Sequence, residues 1–135
     1  MYEQGALRHG RYRHSEAGNA TAEFVMITSL VLLLFAIVLQ ISFALYAKNM
    51  MIDAASAGAR YGTLADRTPA EGAHRARERI SATLPAGYAT AVTTRQTAID
   101  GHPVLEVQVA GTLPVLGPFG FDRGIEVTGK AVMTR

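Results

Sequence analysis

The sequence predicts an α+β fold: a single long N-terminal helix, half of it transmembrane, a short second helix, and a three-stranded antiparallel sheet packed on the long helix. Three observations predict it. Residues 24–47 carry no charged side chain, residues 48–84 are rich in helix formers, and two later segments alternate apolar and polar residues. We therefore divide the chain into a basic leader (1–18), a transmembrane helix (19–47) and an extracytoplasmic α+β domain (48–135).

The uncharged segment reads FVMITSLVLLLFAIVLQISFALYA and is long enough to cross a bilayer. As a helix it measures roughly 36 Å at about 1.5 Å per residue, against a hydrocarbon core about 30 Å thick. A secretory signal peptide has a shorter apolar region, and the small downstream domain cannot enclose an apolar rod of this length. Basic residues Arg8, Arg11 and Arg13 precede the span, while Lys48 and Arg60 follow it. This asymmetry favours a cytoplasmic N-terminus. We expect a single-pass protein of the cytoplasmic (inner) membrane, with an extracytoplasmic C-terminal domain.

The helical part of the domain is predicted in two pieces. Residues 48–64 hold no proline and extend the membrane helix beyond the bilayer. Asp66 to Pro69 interrupts the pattern, and Pro69 suits the first turn of a second helix, predicted over residues 69–84. Three arginines on mixed faces of this second helix predict a surface position.

The sheet is predicted within residues 88–135, with strands at 88–97, 104–109 and 125–135. An Asp100-Gly101 pair between the first two strands indicates a tight hairpin. Leu105, Val107 and Val109 alternate with Glu106 and Gln108. One apolar face needs a cover, which we expect the extramembrane half of the long helix to provide. The apolar loop 112–121 is open to two interpretations: it covers a small core, or it docks on a partner or on the membrane surface.

Composition and motifs argue against an enzyme. The absence of cysteine excludes disulfides, thiolate metal sites and cysteine nucleophiles, and a scattered net charge of +2 does not predict nucleic-acid binding. The histidines show no metal-ligand spacing, and no nucleophile or phosphate-loop motif is present. We predict no catalytic residue, cofactor, metal ion or small-molecule substrate.

A short motif lies immediately before the span. Gly18-Asn19-Ala20-Thr21-Ala22-Glu23-Phe24 combines a glycine, four small residues, a glutamate and an aromatic residue, which is the prepilin pattern. With the leucine-rich core at residues 30–34, Leu45-Tyr46-Ala47 and the stretch DAASAGARY at 53–61, it resembles the TadE/TadG-like family of the tight-adherence pilus system. The resemblance covers residues 18 to about 64.

The resemblance implies that a prepilin peptidase cleaves between Gly18 and Asn19. Glu23 then becomes the fifth residue of the mature chain, followed by Phe24. A carboxylate near the lipid boundary is costly unless it is paired, and in pilin-like assemblies its partner is the free amine of a neighbouring subunit, here Asn19. The alternative is a solvated glutamate that only favours the start of a helix.

The implied function is that of a TadE-like minor pilin or pseudopilin, a structural component in the assembly of a Flp-type pilus or related secretion apparatus. Its implied partners are membrane lipid, the prepilin peptidase and other pilin-like subunits, including TadE-, TadF- or TadG-like proteins. The resemblance leaves open whether the protein is incorporated in the pilus or only starts its assembly. The alternative is an unprocessed, single-pass anchored binding or accessory module.

Three further residues are candidates for helix packing. Ala54 and Gly58 lie four residues apart on one stripe of the helix, where their small size permits close approach of another backbone. That backbone belongs either to a neighbouring pilin helix or to this chain's own sheet. Gln40 is a polar residue inside the span, and its amide is a candidate for hydrogen bonding to a partner helix.

Overall fold

The computed structural model describes residues 13–113 and 123–134. It contains a long helix α1 (Arg13–Gly62), a second helix α2 (Pro69–Thr83) and the strands β1 (Ala89–Ile99), β2 (His102–Leu113) and β3 (Arg123–Val132). The predicted α+β fold is confirmed. Two compact units divide the chain, Met1–Leu39 and Gln40–Arg135. Leader residues 1–12 lie outside the described residues. Residues 114–122, which include most of the predicted apolar loop 112–121, lie outside them as well.

Helix α1 begins earlier than the sequence indicated. It starts at Arg13, so residues 13–18 of the predicted leader are part of the helix. Glu16 lies in the first turn, where a negative charge favours the positive end of the helix dipole, and no proline interrupts the stretch. The helix ends at Gly62, slightly before the predicted Leu64.

Helix α2 begins with a capping box at the predicted break. The Thr68 hydroxyl accepts a hydrogen bond from the Glu71 N–H at 3.3 Å, and the Thr68 N–H donates to Glu71 Oε2 at 2.7 Å. Pro69 occupies the first turn. Together these contacts satisfy backbone donors at the start of the helix. The hydrogen bond from the Thr68 backbone is the largest cause of the lowered pKa of Glu71.

The surface position predicted for α2 holds for only one of its sides. The other side is apolar and buried, and its buried residues are Gly72, Ala73, Ala76 and Ile80. Arg79 Nη1 reaches Asp53 Oδ2 of α1 at 2.7 Å, and Arg77 donates to the Val92 carbonyl of β1 at 2.9 Å. The exposed arginines therefore tie α2 to both neighbouring elements.

The sheet is antiparallel with the order β1-β2-β3. The hairpin predicted at Asp100-Gly101 is present, with Ile99 opposite His102 and both turn residues at positive φ, 51° and 78°. A two-residue turn of this conformation matches the twist of the strands it joins. β2 is longer than predicted at both ends, because Pro103 accepts a hydrogen bond from the Met133 N–H and Gly111 pairs with Ile125.

The apolar faces predicted for the strands are confirmed by burial. Leu105, Val107 and Val109 are fully buried, and Val127 of β3 is nearly so. Glu106 lies on the opposite face as predicted but is also buried, because it stands on the central strand between Arg95 of β1 and Lys130 of β3. Its Oε1 is 2.7 Å from Lys130 Nζ, which compensates the buried carboxylate.

The second half of α1 covers the apolar face, as the sequence predicted. Gly129 of β3 lies so close to α1 that a Cβ atom there would overlap the backbone of Ala55 and Ser56. Near the end of the helix, a Cβ at Gly62 would lie 2.6 Å from Leu105 Cδ2. The core consists mainly of helix alanines and strand valines, joined by a few larger side chains. Its buried residues are Ala47, Met51, Ala54, Ala55, Ala59, Ala73, Ala76, Ile80, Leu84, Tyr88, Val92, Val107, Val109 and Val127.

Candidate functional site

The membrane-spanning character of α1 is visible in its side chains. Between Phe24 and Tyr46 the large apolar residues are exposed in this single chain, although they are the residue types that normally avoid water. The helix is long and apolar enough to cross a membrane, and its most apolar window has no buried residue. A lipid environment accounts for such an all-round apolar surface.

The hydroxyl groups near the start of the span are already satisfied within the helix. Thr21 Oγ1 donates to the Ala17 carbonyl at 2.9 Å, and Ser29 Oγ donates to the Val25 carbonyl at 2.7 Å. Such local bonds remove most of the penalty for placing a hydroxyl in lipid. Neither hydroxyl therefore needs a partner to accept its proton.

Glu23 differs from these hydroxyls. It is exposed, and it immediately precedes the uncharged segment that begins at Phe24. Within residues 13–113 and 123–134, no basic group lies within ion-pair distance of its carboxylate. Residues 13–113 and 123–134 therefore provide a carboxylate at the entrance of an apolar helix and no counter-ion for it.

Gly18 and Asn19 are helical, and folding does not require a glycine there. A Cβ atom built at Gly18 meets no other atom within 4 Å, and its φ is not positive. Glycine in a helix interior is less stable than alanine by about 1 kcal/mol. Gly18 therefore weakens the helix locally. A protease that cleaves between Gly18 and Asn19 would need to bind the backbone in an extended conformation at this point.

Gln40 is half-buried, at the start of the second compact unit. Within the described part of the chain, no side-chain hydrogen bond to its amide is present. The amide group is thus available to a partner helix or to water near the edge of the bilayer.

Ala54 and Gly58 lie inside the domain. A Cβ at Gly58 would lie 2.5 Å from the Gly72 carbonyl oxygen and 2.9 Å from Ala76 Cβ, and a Cβ at Gly72 would lie 2.6 Å from the Gly58 carbonyl oxygen. The stripe of small residues is occupied by α2, and so neither a neighbouring subunit nor the sheet is its partner at Gly58. The matching pair Gly72 and Ala76, four residues apart on α2, is the sequence signal for this contact, which the sequence prediction lacked.

A groove of about 500 Å³ lies between the end of α2 and β1. Its lining is mainly apolar, and Arg77 is its charged residue. Arg77 donates to the Val92 carbonyl, so it is engaged in holding the sheet. Among the described residues, no group of three or more His, Asp or Glu side chains is arranged to hold a metal ion.

The fold and these positions define a class: a small α+β domain carried by one helix that is long and apolar enough to cross a membrane. Residues 18–60 match the sequence model of a family described as TadE-like protein. The match confirms the resemblance stated above for the motif and the helix. No curated protein and no solved structure matches the chain.

Proposed function

We propose that this chain is a minor pilin or pseudopilin, a structural subunit that a prepilin peptidase processes and that takes part in assembling a Flp-type pilus or a related secretion apparatus. The observation that carries the proposal is Glu23, an exposed carboxylate without a counter-ion among the described residues, at the start of the matched apolar helix. The free amine created at Asn19 of a neighbouring subunit supplies that counter-ion.

The position of Gly18 supports processing at this site. Because no other atom lies near a built Cβ, the glycine is not needed for packing, and its low helix propensity assists local unwinding. The peptidase therefore acts on a segment that opens at small cost, with the membrane helix beginning a few residues beyond.

N-terminal sequencing of the protein purified from membranes of its own host tests this proposal directly. The mature chain is expected to begin at Asn19. Gly18→Leu is expected to leave the leader attached and to prevent assembly, without unfolding the domain. Gly124→Leu is the matched control, since Gly124 also has no atom within 4 Å of a built Cβ. An intact leader in the unaltered protein would instead favour the alternative, an unprocessed single-pass anchored binding or accessory module.

Gln40 is proposed to contribute to association within the membrane. Gln40→Leu is expected to weaken the interaction with a TadE-, TadF- or TadG-like partner several-fold, since an interhelical hydrogen bond in lipid contributes about 1 kcal/mol. A membrane two-hybrid assay measures this. Ser29→Ala is the control, because that hydroxyl already donates to the Val25 carbonyl. Equal signals for the unaltered protein and Gln40→Leu would remove Gln40 from the interface.

A further inference from the structure

The apolar stretch of α1 changes character near its end. Ile41 and Leu45 remain more than half exposed. Ala44 is partly buried, and Ala47 is completely buried in the core of the domain. The helix therefore enters the α+β domain before the uncharged segment has ended.

An aromatic cluster marks this transition. The rings of Phe43 and Tyr88 meet edge to face with centroids 5.9 Å apart, and Phe43 and Tyr46 are 6.3 Å apart. Tyr88 is buried, whereas Phe43 and Tyr46 are each 45% exposed. The Tyr88 backbone is fixed as well, because its carbonyl accepts from the Thr112 N–H at 3.0 Å and its N–H donates to the Pro85 carbonyl at 3.4 Å.

The position of this cluster shortens the part of the helix that is available to lipid. Residues 24–42 remain, and at about 1.5 Å per residue they measure roughly 28 Å. The hydrocarbon core is about 30 Å thick. The segment before Phe43 thus matches the bilayer more closely than the whole uncharged stretch, which is longer than the hydrocarbon core.

The distribution of charge agrees with a membrane-facing end at Tyr88. Residues 83–94, which include the turn from Pro85 to Tyr88, hold no charged side chain. On α1, Lys48 is the first charged residue after the span. Within residues 83–94, no charged side chain has to be dehydrated when this turn meets the membrane, and tyrosine is enriched at the level of the lipid headgroups.

The strands run away from this end. Gly111 of β2 lies against Met51 of α1, and Leu105 lies against Gly62 further along the same helix. β2 therefore follows the axis of α1, and its antiparallel neighbour β1 leads from Ala89, next to Tyr88, away from the cluster. Ala98 is then about 30 Å beyond Tyr88, at about 3.3 Å per residue.

We propose that Phe43 and Tyr46, with Phe43 packed against the buried Tyr88, form an aromatic contact with the membrane at the outer hydrocarbon boundary, with the turn Pro85–Gly87 in the lipid headgroup region. The partner is the lipid surface itself. The domain then rests on the bilayer and is not held away from it by a free helical stalk. This inference rests on the proposed function in one respect, namely that α1 crosses the membrane.

Depth-dependent fluorescence quenching tests the contact, and the absence of native cysteine makes single labelling sites simple to create. The exposed residues Ala36, Ala86 and Ala98 are each replaced by cysteine in the full chain, labelled with an environment-sensitive dye and reconstituted in phosphatidylcholine vesicles. The vesicles carry a spin label either in the headgroup or deep in the acyl chain. All three sites begin as alanine, so the substitutions are matched.

The label at Ala86→Cys is expected to be quenched by the headgroup spin label at least about threefold more than the label at Ala98→Cys, given their separation of about 30 Å along the strand. The label at Ala36→Cys is expected to be quenched by the deep spin label. Equal quenching at the Ala86 and Ala98 sites, with Ala36 quenched, overturns the domain contact and leaves the membrane span intact. Absence of deep quenching at Ala36 overturns both the span and the contact.

Discussion

Replacing Gly129 by valine is expected to lower the free energy of unfolding of the α+β domain by about 3 kcal/mol, at the upper end of the typical effect of overpacking. The reason is that a Cβ at this position overlaps backbone atoms of Ala55 and Ser56. A backbone cannot rotate away as a side chain does, so α1 must separate from the sheet. Thermal or denaturant unfolding in detergent micelles, followed by circular dichroism, measures the change.

Gly124→Val is the matched control for this substitution. Gly124 lies on the same strand, β3, and has no atom within 4 Å of a built Cβ. Its replacement is expected to change the free energy of unfolding by no more than about 0.5 kcal/mol. Unfolding midpoints that are the same for the two variants would show that α1 does not approach the sheet as closely as the structure indicates.

Replacing Glu23 by glutamine is expected to reduce incorporation into the pilus or secretion assembly by at least about tenfold, which corresponds to about 1.4 kcal/mol. The amide keeps the size of the side chain but removes the charge that is proposed to pair with the Asn19 amine. Leaving one member of a desolvated ion pair alone is strongly unfavourable. The measurement is the ratio of the amount of subunit in the assembled fraction to the amount that remains in the membrane.

Glu16→Gln provides the control for Glu23→Gln. Glu16 is an exposed glutamate of the same helix, located in the leader that the proposed processing would remove. Its substitution is expected to leave assembly unchanged, and Glu23→Asp is expected to retain part of it. Unchanged assembly of Glu23→Gln, with normal membrane insertion, would falsify the proposed charge pairing.

The elements that the sequence predicted well are those with a strong local pattern. The alternation of apolar residues gave the buried faces of β2 and β3, and the Asp100-Gly101 pair gave the hairpin because few sequences adopt two successive positive φ angles. The uncharged stretch located the first helix, and Pro69 located the start of the second. In each case neighbouring residues alone decide the structure.

The features that were missed depend on residues distant in sequence. Gly58 packs against Gly72, and nothing near Gly58 indicates whether its partner is a sheet, a second helix or another subunit. Glu106 occupies a polar position in the alternation of β2, which is typical of an exposed residue. It is nevertheless buried, because β2 is the central strand of the sheet. Ala47 is likewise buried in a core to which residues distant in sequence contribute.

The roles of Gly18, Asn19 and Glu23 stay predictions. In the structure, folding does not require a glycine at position 18. No counter-ion lies near the Glu23 carboxylate within the described residues. A single chain does not contain the peptidase or the neighbouring amine on which those roles depend.

The contact between Gly58 and Gly72 also limits how subunits can meet. Because this pair of small residues is enclosed within one subunit, it is not available for contact between copies. Copies that associate through the span, as proposed, would meet on side chains of α1 that from Leu30 to Ile41 are bulky apart from Ala36. Interdigitating leucine, isoleucine and phenylalanine hold helix axes toward the wider part of the usual spacing of about 8–10 Å. In a filament built from these helices, neighbouring helices would consequently pack through large apolar side chains. Their axes would lie farther apart than those of helices whose backbones are in direct contact.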